Sequence, residues 1–101
     1  MDKLERIKIL LENHVGKGNE VSARIIENEY GNPNDSTHRK ARELIDACIE
    51  KYDLAVAANN NGYFLISNDE EYNEYMANLD SRIAGIDERK RIITKIFKGE
   101  S

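Results

Sequence analysis

The sequence predicts a mainly α-helical domain that takes in one β-hairpin and continues into a long C-terminal helix. Three observations carry this expectation. Apolar residues recur at helical spacing in four separate segments. Two short apolar runs flank the tetrad Asn59-Asn60-Asn61-Gly62, whose residues tolerate the positive φ that hairpin turns demand. The only proline, Pro33, lies in the turn-forming stretch Asn32-Pro33-Asn34-Asp35, which a helix does not cross.

The first helix spans residues 2–13, with Leu4, Ile7, Leu10 and Leu11 on one face and charged residues on the other. Gly16-Lys17-Gly18 breaks it. Asn19 can cap a second helix, in which Val21, Ile25 and Ile26 face inward and which ends at Tyr30 before Gly31. After the proline turn, Asp35 or Ser36 caps a third helix running to about Tyr52, with Ala41, Leu44, Ile45, Cys48 and Ile49 inward. Cys48 then serves as a small buried hydrophobe. Residues 54–58 and 63–66 form the hairpin, and Asn68 or Asp69 caps a last helix to about Lys98. The expected core includes Ile25, Leu44, Ile45, Cys48, Val56, Tyr63 and Leu65.

Helix, helix, helix, hairpin, helix is the order of a winged helix-turn-helix followed by an extra helix. At 101 residues the chain suits one small domain, with residues 1–68 as the winged unit and 69–98 as the helix appended to it. The segments NEVSARIIENEYG, ARELIDACIEKYDLAVAANNNGYFLIS and EEYNEYMANLDSRIAGIDERKRII give the chain a further likeness. In that order it resembles the small winged-helix proteins encoded by phages and prophages of Gram-positive bacteria. The resemblance implies a DNA-binding protein of a phage or mobile element, a transcriptional regulator or a replication-associated factor. The turn GNPNDST is longer than the tight turn usual in helix-turn-helix units.

Charge is zoned. The net charge of −4 argues against indiscriminate coating of nucleic acid. Arg39, Lys40 and Arg42 nevertheless concentrate positive charge at the start of the third helix. In a winged helix-turn-helix that end enters the major groove, so Ser36, Thr37, His38, Arg39, Lys40 and Arg42 are the candidate contacts to double-stranded DNA. Arg39 and Arg42 also stand four residues before Glu43 and Asp46, where they can simply form ion pairs. The hairpin tip, Asn59, Asn60 and Asn61, offers amides to the minor groove or backbone. The hairpin itself has no lysine or arginine. Lys17 is a candidate phosphate contact.

Asp69, Glu70, Glu71 and Glu74 open the last helix, where acids complement the helix dipole. No cysteine or histidine pair has zinc spacing, no phosphate loop is present, and no nucleophile has a base beside it. No cofactor, metal or catalytic activity is therefore expected. One cysteine, no apolar run near the ~20 residues of a membrane span and a charged N-terminus together predict a cytoplasmic protein.

The last helix carries Tyr72, Met76, Leu79, Ile83, Ile86, Lys90, Ile93 and Phe97 at alternating spacings of four and three, a heptad seam with one charge in it. Its early part is expected to fold onto Leu4, Ile7 and Leu11 of the first helix. Its distal part, Leu79, Ile83, Ile86, Lys90, Ile93 and Phe97, is expected to join a homodimer through a coiled coil. The competing reading is a winged-helix protein-interaction module that binds a host or phage protein instead of DNA.

Overall fold

The computed structural model describes residues 2–30 and 38–99. It contains α1 (Lys3–Glu12), α2 (Ala23–Tyr30), α3 (Arg39–Tyr52), β1 (Val56–Asn59), β2 (Gly62–Leu65) and α4 (Asp69–Lys98). The chain is thus mainly helical, with a two-stranded antiparallel hairpin and a long C-terminal helix.

The α1 helix starts where Asp2 accepts a hydrogen bond from the Glu5 backbone N–H at 2.9 Å. It buries Ile7 and Leu11 against α3 and α2. The α3 helix contributes Ala41, Leu44, Ile45 and Cys48, all buried as their spacing predicts. Cys48 has no exposed surface, and burial raises the pKa of its thiol. Ile26, Val21 and Val56 complete the core.

Three expectations are corrected around α2. The helix does not begin after Asn19. It begins at Ala23, and the Ser22 hydroxyl accepts the Ile25 N–H. The reason lies in Val21, which is extended rather than helical. Its N–H donates to the Tyr63 carbonyl at 2.8 Å, and its carbonyl accepts from the Tyr63 N–H at 2.9 Å. The later start sets which side of α2 faces inward. Ile25 is 45% exposed rather than buried, while Ile26 and the carboxylate residue Glu27 are fully enclosed.

The first strand begins two residues later and ends one later than predicted, and the second lies one residue earlier. Asn59 pairs with Gly62, leaving Asn60 and Asn61 as the loop. Both faces of this small sheet are covered, so the burial pattern differs from the one-sided expectation. Val56, Ala58, Tyr63 and Leu65 share the face toward α1 and α3, and there Tyr63 and Leu65 are half-buried rather than buried. Ala57 and Phe64 share the other face, on the side of Tyr75 from α4, and both are buried.

That placement overturns the predicted site of α4. The helix lies over β1 and the Gly16–Gly18 turn, and the apolar face of α1 packs on α3 and α2. Asn68 caps α4 by accepting the Glu71 N–H at 2.8 Å. Glu71 and Tyr75 are partly enclosed, whereas every described residue from Asp80 onward is exposed. The molecule measures 56 × 33 × 23 Å, with a radius of gyration of 16.7 Å. A compact chain of this length has about 13 Å; the excess belongs to the projecting helix.

Candidate nucleic-acid interface

Three elements meet at a groove of about 480 Å³. Ser22 and Arg24 come from the start of α2, His38 and Arg42 from the start of α3, and the hairpin supplies its tip from Asn59 to Gly62. The main-chain bonds between Val21 and Tyr63 hold the hairpin against the α2 entrance. Packing of α2 on α3 sets the opposite wall. The described lining contains two arginines, a histidine and the hairpin asparagines, and no carboxylate.

Sequence reasoning located part of this set. His38, Arg42, Asn59, Asn60 and Asn61 are brought together as candidates. Arg24 was missed. Its signal was its place one residue beyond Ala23 in a helix whose true start is set by the non-local Val21–Tyr63 pairing. Arg39 and Lys40 fall outside the groove lining. Both approach Glu43, Arg39 at 3.1 Å and Lys40 at 3.8 Å, so the predicted i,i+4 pairing of Arg39 is present. Exposed pairs of this kind exchange easily for other partners. Ser36, Thr37 and the capping candidate Asp35 lie outside the described residues.

His38 has a special position. It stands at the cap position of α3, where the sequence predicts Asp35 or Ser36, in left-handed backbone geometry, φ 56° and ψ 23°, and makes no side-chain capping bond. Its Nδ1 lies 2.7 Å from Oε1 of the wholly buried Glu27, while the imidazole lines the groove. With an ionised carboxylate, Nδ1 carries the hydrogen of that bond and Nε2 is left for another partner. Glu27 thereby connects α2 to the entrance of α3. Its second oxygen has no hydrogen-bond partner among the described residues.

The hairpin asparagines divide by role. Asn59 donates from its amide to Glu20 at 2.7 Å and accepts the Asn61 N–H at 2.8 Å, so it builds the turn. Asn60 and Asn61 are exposed at the tip.

Lys17 is drawn to the opposite side of the hairpin. Its ammonium lies 2.6 Å from Glu74, and its backbone N–H donates to Glu71 at 2.8 Å. Glu71 also accepts from the Ser67 N–H and hydroxyl. These donors hold the Glu71 pKa below its ordinary value, and Glu74 raises that of Lys17. The acids at the start of α4 thus tie the helix to the Gly16–Gly18 turn as well as complementing its dipole.

A pH dependence follows. A carboxylate depressed on folding stabilises the fold fully above its ordinary pKa of 4.5 and loses that contribution as pH falls through the lower folded value. Thermal melts between pH 7 and pH 3 should show this loss beginning near 4.5. Glu71→Gln should melt lower at neutral pH and lose less on acidification. Parallel curves for the two proteins would remove Glu71 as the acid-sensitive anchor.

Among the described residues, no group of three or more histidine, cysteine, aspartate or glutamate side chains is placed to hold a metal ion. No described helix is long and apolar enough to cross a membrane. Comparison with protein-family models, curated proteins and solved structures finds no match.

Proposed function

We propose that the chain binds double-stranded DNA, with the groove between α2, α3 and the hairpin as its contact surface and the whole acting as a winged helix-turn-helix. The observation that carries this reading is the lining: Arg24, His38 and Arg42 beside exposed hairpin amides, without a carboxylate among the described residues, in a protein whose net charge is negative. Local enrichment of cations against an acidic background favours a polyanion at one place and repels it elsewhere. Arg42 can read a guanine edge bidentately, and Arg24 suits the phosphate backbone next to it. Asn60 and Asn61 supply amides to the minor groove or sugar–phosphate chain. Arg39 and Lys40, beyond the lining, add charge at the same helix start. The likeness to winged-helix proteins of phages and prophages supports a role in regulation or replication of a mobile element.

Fluorescence anisotropy with random and selected duplexes, at low and moderate salt, tests the reading. Binding should weaken steeply with salt. Arg42→Ala should cost about 1–3 kcal/mol at the selected site if it reads a base, and Arg24→Ala should reduce the salt slope by about one if it meets phosphate. Absence of binding to any duplex at low salt would overturn it.

A second reading has its own support. The hairpin carries no lysine or arginine, and Lys17 is committed to Glu74. A protein partner seated in the same groove suits a tip that is polar and uncharged. Such a partner is the reading to pursue if duplex DNA does not bind.

A further inference from the structure

We infer that the projecting half of α4 pairs with α4 of a second copy of this chain in a parallel two-stranded coiled coil. The inference is independent of what the groove binds. From Asp80 to Lys98 every side chain is exposed, and the helix nevertheless presents Ile83, Ile86, Ile93 and Phe97 along one stripe. Ile86 is 61% exposed and Phe97 88%. A lone helix gains nothing from such a stripe in water. A second helix bearing the same stripe buries it.

The heptad positions select the partner and its direction. Met76, Ile83, Lys90 and Phe97 occupy a; Tyr72, Leu79, Ile86 and Ile93 occupy d. Leu79 at d followed by Ile83 at a suits two strands, Ile86 and Ile93 at d suit more, and the charged Lys90 at a is the position that sets the number. In a parallel pair Arg82 at g faces the partner's Asp87 at e, and the reciprocal pair repeats it. Antiparallel pairing over the full seam would set Asp80 beside the partner's Asp87, and Arg82 beside the partner's Arg89. The acidic first half and basic second half of α4 would favour the antiparallel form at long range. Glu74, Lys95 and Lys98, however, stand at outer positions, and exposed charges beyond about 8 Å are largely screened at physiological salt. The flanking pairs therefore decide the direction.

Two facts make the pairing compatible with the rest of the molecule. The side of α4 that meets the domain is marked by Glu71, Tyr75, Asn78 and Arg82, and Ile83 and Ile86 take no part in it. Lys90 is the polar member of the seam. One lysine at a fixes register and the number of strands at a cost in stability, and its stem can lie along the apolar stripe while the ammonium reaches water.

Sedimentation equilibrium of the full chain at high micromolar concentration should give twice the 11.6 kDa mass. Ile86→Asp, on an exposed position, should return it to the single-chain mass with the helical signal of the domain retained. Lys90→Ile should strengthen association. Direction is read by mild oxidation of Ile93→Cys, with the parent chain as control because its Cys48 is buried. A parallel pair brings the two 93 positions into one layer, so a covalent dimer should form and the parent should give none. An antiparallel pair separates them by roughly 26 Å along the axis at ~1.5 Å per residue. A monomer at the highest concentration would overturn the second copy as occupant. A dimer in which Ile93→Cys remains uncrosslinked while Met76→Cys links to Ile93→Cys in a mixed sample would overturn the parallel direction.

Discussion

Replacing Gly62 with alanine should destabilise the domain by about 3–5 kcal/mol, among the larger effects of a single substitution. Two causes act together. Gly62 has φ +136°, a backbone conformation that residues with a Cβ rarely adopt. A Cβ there would also stand 2.1 Å from the Val21 carbonyl oxygen and 2.7 Å from its carbon. Those atoms are main chain, held by the paired bonds to Tyr63, so no rotamer change relieves the clash. The hairpin would have to part from the segment before α2, and the groove between them would open. Chemical denaturation gives the stability change, and an unchanged midpoint would show that the hairpin does not sit against Val21. Any DNA affinity should fall with it even at temperatures where the chain stays folded.

Ile26→Ala and Ile25→Ala should differ sharply although the residues are adjacent. Ile26 is fully buried in the cluster formed by α1, α2 and α3, so its truncation should cost about 2–5 kcal/mol through lost burial and the cavity left behind. Ile25 is largely on the surface, and its truncation should cost less than about 1 kcal/mol. Equal losses would place the inward side of α2 elsewhere. The pair therefore measures the phase of the helix, which decides that Arg24 lines the groove.

The phase of α2 is also where sequence reasoning and structure part. Local pattern located α1, α3 and the hairpin, because each carries its signal within a few residues: Asp2 before an amphipathic run, the 3.6-residue spacing of Ala41 to Cys48, and the asparagine-rich turn. The start of α2 depends instead on Val21 meeting Tyr63, residues 42 positions apart, and no window of sequence contains that information. A helix begun after Asn19 turns Ile25 inward and leaves Arg24 off the groove; the start at Ala23 reverses both. The position of α4 failed for a related reason. Its early apolar residues suit any apolar neighbour, and the hydrogen bonds from Lys17 and Ser67 to Glu71 select the hairpin side. Burial of Phe64 is the complement of that choice, since a hairpin covered on both faces shows no simple alternation. His38 was legible as a polar residue at a helix start, but its pairing with Glu27 was not, because a glutamate in an otherwise polar stretch gives no sign of being enclosed.

The Val21–Tyr63 bridge has a consequence for how this surface can diversify. The two walls it joins are spaced by backbone atoms alone, and backbone atoms are common to every residue type but proline on the donor side. The side chains of Asn60 and Asn61 stand at the exposed tip of that frame. Exchange of these side chains alters what the groove contacts while its width stays fixed. If the groove binds as proposed, its preferences can change at the hairpin tip without disturbing the fold, whereas Gly62, which meets the Val21 main chain, is closed to such drift.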